Sequence, residues 1–275
     1  MRSSRSNSSP KRADGAGAEA VPSVSVILPT RNRPDFLIEA LASVARQSHP
    51  ELELILVRDG GTPLNGRALE ILGALEFPHI LVERDDPPEG LAQARDNGIA
   101  RARGDAFAFL DDDDLWDPGH VKQLADALDR DPELSVAYSD SRIVDLSSGE
   151  ERLLARDFDL GVFGRNGFIP PSSFAARRAA FDRFALFDPA MAYSEDWDWL
   201  LRVARAGGKI GRVRGVSATI RIHGGGLSAL VPERLAERQR CLDELSRRHR
   251  VGPIEPKTFW EVAGELCPDG NASRR

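Results

Sequence analysis

Short apolar, β-branched runs that end in polar clusters alternate with stretches whose apolar positions recur at helical spacing. Val24–Pro29 (VSVILP), Leu52–Val57 (LELILV), His79–Glu83 (HILVE) and Ala106–Leu110 (AFAFL) each predict a buried strand. Between them, Phe36, Leu37, Ala40, Leu41 and Val44 share one face of a helix that Pro34 suits as a first turn. Helices are also expected around Leu69–Leu75 and across Gly90–Gly104. The second half is less regular. Ser135–Asp145 reads as a strand, Gly161–Ser173 as loop, and Gly215–Gly226 opens as a strand. Ser194–Gly208 reads as a helix with Ser194 or a neighbour at its start and Gly207-Gly208 after its end. Its apolar face is expected from Trp197, Leu200, Leu201 and Ala204. Val231–His249 predicts a polar helix with Leu235, Leu242 and Leu245 on one stripe.

Continuous apolar strands alternating with helices predict an α/β fold: one Rossmann-like domain, its central sheet mostly parallel and covered by helices on both faces. Ligands of such sheets sit at the carboxyl ends of the strands. Those ends carry Thr30-Arg31-Asn32-Arg33, Asp59-Gly60-Gly61 and Asp111–Asp114, so three polar loops converge on one rim. No internal repeat or second core interrupts the pattern.

Composition narrows the class. The chain has 275 residues, 37 Lys and Arg against 43 Asp and Glu, and a formal net charge of -6. That balance argues against a nucleic-acid partner, while local arginines or a metal can still bind phosphate. No stretch approaches the roughly 20 apolar residues of a membrane span. The Ser-, Arg- and Gly-rich residues 1–21 have no apolar signal region and read as a disordered tail, solvated or touching an anionic membrane surface. The two cysteines, Cys241 and Cys267, demand no disulfide framework and fit a cytoplasmic location, with peripheral contact to the inner membrane face still open.

Four consecutive aspartates repel one another, by about 4 kcal/mol per pair at ~4 Å and a surface-like dielectric. A cation removes that cost, and oxygen ligands suit Mg²⁺ or Mn²⁺. The same run also fits a solvated turn, or a cap on a helix after Asp117-Pro118. The patterns of phosphate-binding P-loops, dinucleotide folds, nucleophile elbows and zinc proteases are absent from the sequence.

Five segments together resemble the family 2 glycosyltransferases: VSVILPTRNRP, LILVRDGG, GLAQARDNGIARARGDAFAFLDDDDLWDPGHV, SEDWDWLLRVARAGG and RIHGGGLS, from about Val24 to Ser228. The resemblance implies the A-type glycosyltransferase fold, a nucleotide-sugar donor, a divalent metal and inversion at the anomeric carbon. It divides the chain into a domain over 22–230, with a nucleotide-binding half to about 115 and an acceptor half after it, and a helical extension over 231–275. It assigns Pro29, Thr30, Arg33, Asp59, Arg95, Asp111 and Asp112 to the donor. Asp113, Asp111 and His223 fall to the metal, and Glu195 and Asp196 to catalysis, with Asp196 as the base. Two positions depart from the family pattern: Arg58 stands where an acid is common, and Asp96 where Asn is common, with Asn97 one residue on.

A carboxylate at a helix N-terminus is favoured by the dipole, so Asp196 is expected to stay ionised and accept a proton. Glu195 and Asp196 also fit ordinary first-turn acids, Asp59 a turn stabiliser, and His223 a structural residue. Trp116 or Trp199 can stack on a sugar or simply pack. A nucleotidyltransferase and a non-catalytic nucleotide-sugar-binding paralogue are the competing functions. The first is disfavoured because PTRNRP lacks glycine, and the second is kept open by Arg58. A role in polysaccharide or glycoconjugate synthesis follows from the resemblance. The acceptor, whether sugar, lipid-linked glycan or small molecule, is not encoded, although Leu153–Ser173 and the C-terminal helix are expected to shape its site.

Overall fold

β1 (Val24–Thr30) is buried along its whole length and has a parallel neighbour on each side, β2 (Leu52–Asp59) and β4 (Ala106–Phe109). Val26 lies opposite both Leu54 and Ala108, which explains why these runs are apolar on both faces. β3 (His79–Arg84) pairs with β2 but forms the sheet edge, and it is half exposed rather than buried as its sequence implied. The computed structural model describes residues 23–227 and 229–268; the tail expected over 1–21, and Ser228, lie outside the described residues.

The remaining strands are β5 (Leu115–Trp116), β6 (Leu134–Asp145), β7 (Glu151–Leu154), β8 (Phe174–Arg177) and β9 (Lys209–Ile222). They extend the sheet in the order β3-β2-β1-β4-β8-β6-β9-β5, with β7 on β6. β8 runs antiparallel to β4 and β6, whereas β6 and β9 are parallel. The wholly parallel half is therefore joined to a mixed half, as the irregular second-half pattern implied. The sequence left β5, β7 and β8 unassigned because two to four residues are too few for a period to register.

α1 (Pro34–Ala45) buries Leu37, Ala40, Leu41 and Val44, the face its spacing predicts, while Phe36 packs on the His223 ring at 4.6 Å. α2 (Gly66–Gly73) is capped by the Asn65 side chain. α3 (Leu91–Ile99) stops short of Gly104, whose N–H is instead held by the Ser25 hydroxyl at the foot of β1. α4 (His120–Arg130) has Gly119 as its cap, with no side-chain cap bond, so the aspartate run does not cap it. The single-turn α5 (Leu160–Phe163) and α6 (Arg178–Phe184) precede α7 (Glu195–Arg205).

α7 buries Trp199, Leu200, Leu201 and Val203, whereas Trp197 and Ala204 are only partly covered. Its packed face is rotated from the expected one because Trp199 stacks on Phe181 at 4.2 Å within an aromatic cluster. Trp199 and Trp116 are 0% and 2% exposed, and their indole N–H groups donate to the Ala185 and Ser172 carbonyls. Neither ring can meet a sugar, which removes that alternative. Ser194 stands at the α7 cap position, but in the left-handed region (φ 63) and without a side-chain cap bond.

α8 (Pro232–His249) buries Cys241, Leu242 and Leu245, but Leu235 is exposed, so its apolar stripe covers only the second half. α9 (Phe259–Leu266) opens with a Thr258–Glu261 capping box and packs on β6, β7 and β9. No helix among the described residues is long and apolar enough to cross a membrane.

Candidate active site

The end of β4 determines how the aspartates point. The Leu110 N–H donates to the Ile27 carbonyl at 3.1 Å, continuing the pairing, and the Asp114 N–H then folds back onto the Asp111 carbonyl at 3.0 Å. This turn buries Asp112 and Asp114 and leaves Asp111 and Asp113 partly open. Asp112 accepts from Thr30 Oγ1 at 2.8 Å and Arg33 Nη1 at 3.0 Å, so the tips of β1 and β4 are pinned together. Burial pushes its carboxyl up to about 6, against the opposing pull of the Arg33 charge.

Arg33 bridges the rim. Its Nη1 also donates to Asp113 Oδ2 at 2.6 Å, and its Nη2 to the Gly225 carbonyl at 2.8 Å. Despite desolvation, the Asp113 and Asp112 charges raise its already high pKa. His223 Nε2 lies 3.0 Å from the same Asp113 oxygen. Asp111 turns elsewhere: its Oδ1 is 2.5 Å from Arg95 Nη2.

Arg95 is wholly buried, and its other arm, Nη1, pairs with Glu195 at the head of α7. Burial raises the Glu195 carboxyl to about 8; Arg95 opposes the shift, but the Asp196 and Asp111 charges add to it. Two carboxylates thus share one guanidinium, and the charge of a third, Asp196, also acts on it. Asp196, partly buried next in line, is also pushed upward by desolvation, and the Arg95 charge and the Trp197 backbone N–H offset only part of that. The dipole argument expected a readily ionised group. Loss of water outweighs the dipole here, and Asp196 is the more basic for it.

Two residues unmarked in the sequence complete the support. Ser172 Oγ accepts the Asp111 N–H at 3.0 Å and donates to Asp114 Oδ2 at 2.6 Å. The Arg221 N–H donates to Asp114 Oδ1 at 2.9 Å, and its guanidinium reaches the Asp113 carbonyl and Glu39. Arg221 sits inside RIHGGG and had a signal; Ser172, in a loop-rich stretch, had none.

Thr30, Arg33, Arg95, Asp111, Asp112, Asp113, Glu195, Asp196 and His223 are thus brought together. Pro29 lies beneath them, buried in β1. Asp59 is on the adjoining loop, where both oxygens accept backbone N–H groups, from Glu89 and Gly90 at 2.9 Å each, and so hold the entry to α3. Arg58 pairs with Glu83 at 3.0 Å and helps line a shallow cleft between the β1 and β2 loops, with Thr30, Asn32, Arg33, Thr62 and Leu64. Asp96 accepts the Phe187 N–H at 3.2 Å, and Asn97 donates to Glu89 at 2.7 Å.

Among the described residues, no three His, Cys, Asp or Glu side chains converge as a metal cage. The available donors are the Asp113 carboxylate and the His223 imidazole, with Asp111 nearby. One or two protein ligands completed by substrate phosphates is a common arrangement for Mg²⁺, so this donor set fits a metal shared with a diphosphate.

The family model described as Glycosyl transferase family 2 matches residues 25–184. The uncharacterized glycosyltransferase YwdF of Bacillus subtilis is 30% identical over 253 residues, 86% of this chain and 87% of that protein. The putative teichuronic acid biosynthesis glycosyltransferase TuaG of the same organism is 36% identical over 111 residues, 40% of this chain and 43% of that one. Other relatives are longer, and the chain spans 54% of the uncharacterized glycosyltransferase alr2836 of Nostoc. Among solved structures, S. aureus TarS 1–349 in complex with UDP-GlcNAc superposes with a TM-score of 0.66 at 18% identity, over 89% of this chain and 71% of that one. The mannosyltransferase PcManGT from Pyrobaculum calidifontis, in complex with GDP-Man and Mn2+, gives 0.62 at 19% identity, over 90% and 71%. These structural likenesses bear out the expected A-type fold. With the family model spanning more than half of its length, the chain belongs to glycosyl transferase family 2.

Proposed function

We propose that the protein moves a sugar from a nucleoside diphosphate donor to an acceptor hydroxyl, with inversion and with the help of a divalent metal. The observation that carries this reading is Arg95, which ties Asp111 on the rim to Glu195 at the head of α7 and so sets Asp196 beside the β4 acids. The UDP-GlcNAc and GDP-Man complexes of the structural relatives support a nucleotide-sugar donor.

On this reading the cleft between the β1 and β2 loops takes the nucleobase, and the Thr30–Asp112 pair takes the ribose. Arg33 faces the diphosphate. Asp113 and His223, with Asp111, would hold the metal, which when bound neutralises charge on the leaving diphosphate. Asp196 accepts the acceptor hydroxyl proton as that oxygen bonds to the anomeric carbon and the bond to the diphosphate breaks. Attack from the face opposite the leaving group inverts the centre. A carboxylate with raised pKa is the better base, and general-base catalysis supplies about 10²–10⁴-fold. Glu195, clamped by Arg95, positions the helix head that carries Asp196.

A thermal-shift panel of UDP-, GDP-, dTDP- and CMP-sugars with Mg²⁺, Mn²⁺ or chelator tests the donor reading. One nucleotide class at about 100 times its dissociation constant should raise the melting temperature by about 5 °C or more, with metal present. No shift with any nucleotide would overturn it.

A further inference from the structure

Arg58 stands one residue before the end of β2, 8% exposed, in the wall of the cleft between the β1 and β2 loops. Its Nε donates to Glu83 Oε1 at 3.0 Å and its Nη1 to the Gly61 carbonyl at 3.2 Å. Those two bonds fix the plane of the guanidinium. Nη2 and the second hydrogen of Nη1 have no partner among the described residues, so an end-on pair of donors is unspent.

The two asparagines of the cleft are turned the same way. Asn32 Oδ1 accepts the Thr62 backbone N–H at 2.8 Å and the Thr62 hydroxyl at 3.2 Å. Asn65 Oδ1 caps α2 by accepting the Ala68 N–H at 2.9 Å. A backbone N–H can only donate, so each amide keeps its oxygen on the protein and its NH₂ group unspent. The acids of the adjoining loops are also held by N–H groups, Asp59 by Glu89 and Gly90 and Asp86 by Gly61 at 3.1 Å. The polar wall is therefore rich in donors, and Pro34, Leu37, Pro63 and Leu64 supply the apolar part.

A fixed guanidinium with two unspent donors reads two adjacent acceptors. Guanine presents O6 and N7 side by side, and arginine bonded to both is the commonest specific contact to that base. Cytosine presents O2 beside N3. Uracil and thymine place N3–H between their two carbonyls, and adenine places its N6 amino group beside N7, so each turns a donor toward donors. We propose that Arg58, with the Asn32 and Asn65 amides beside it, selects a donor nucleotide whose base offers two adjacent acceptors, guanine or cytosine, and disfavours uracil, thymine and adenine. The inference rests on the reading of this cleft as the nucleobase site.

Calorimetry on the full chain with Mn²⁺ and GDP, CDP, UDP or ADP tests this. GDP or CDP should bind at least about tenfold tighter than UDP and ADP, corresponding to about 1.4 kcal/mol. The GDP and CDP arms tell the two acceptor pairs apart. Arg58→Lys keeps a charge beside Glu83 but loses the planar fork, so it should narrow that preference by about tenfold with a melting temperature near wild type. A merely structural role for Arg58 would weaken all the nucleotides alike and leave the preference in place. UDP or ADP bound as tightly as GDP and CDP, or an unaltered preference in Arg58→Lys, would overturn the proposal and leave the donor reading intact. If none of the diphosphates binds, the donor reading falls and this inference falls with it.

Discussion

Arg95, wholly buried, donates from Nη1 to Glu195, a residue one hundred positions further along the chain. Its second arm takes Asp111, so one guanidinium fixes the head of α7 to the rim at the end of β4. Removing it would leave two acids facing each other without compensation. Arg95→Met is therefore expected to lose about 3–5 kcal/mol in urea unfolding, and the double variant Arg95→Met/Glu195→Gln should recover a substantial part. Equal stability of the single variant and the wild type would show that the clamp does not hold the fold.

Gly98 lies in α3 against β1, and an added Cβ would stand 2.6 Å from Ile27 Cγ2. Helix propensity alone favours alanine over glycine by about 1 kcal/mol. Overpacking a rigid core costs about 1–3 kcal/mol, and Ile27 sits inside the sheet with little room to yield. Gly98→Ala should therefore lower the unfolding free energy, and a stabilised variant would mean that α3 can shift away from β1.

Asp96 is raised from its ordinary 3.8 to about 6, chiefly by burial, with the Phe187 N–H and nearby arginines opposing. Between those pH values the native chain keeps a proton that the unfolded chain has released, so stability falls as pH rises from about 4 to 6. The contribution lost is about 3 kcal/mol for a shift of this size. Asp96→Asn should flatten the decline over that window, as measured by denaturant unfolding at each pH. Asp112, raised to a similar value, would leave a residual slope. An unchanged profile would mean that Asp96 is already ionised at pH 4.

Much of this architecture was legible in the sequence, and its gaps have physical causes. β1, β2 and β4 are buried on both faces, so their apolar runs are unbroken and their polar ends mark the rim. β8 has four residues, and its place between β4 and β6 is set by long-range pairing that leaves no local period. The buried face of α7 departs from its apolar spacing because Trp199 is drawn into an aromatic cluster contributed by Phe174, Phe181 and Phe187. The β4 acids were visible as a run, but their division was not. Asp112 and Asp114 face inward to Thr30, Ser172 and Arg221, whereas Asp111 and Asp113 go to different arginines. The helix-start position of Asp196 predicts an easily ionised acid, because its desolvation leaves no mark in the sequence.

Asp113 shares one oxygen between Arg33 and His223, and on the proposed reading it joins the metal to the diphosphate. Asp113→Ala should abolish the part of nucleotide binding that a chelator removes from the wild type. His223→Ala should weaken the same part by about tenfold, as loss of one group in a metal's immediate surroundings commonly does. Wild-type binding indifferent to chelator would contradict the assignment.

The central claim is that Asp196 takes the acceptor proton while the rim holds the donor. The most direct test is the rate of nucleotide release from the bound sugar donor by Asp196→Asn, measured beside its donor affinity. The account predicts donor binding close to wild type and a rate reduced by about 10²-fold or more. A variant that binds donor normally and turns over at the wild-type rate would contradict it.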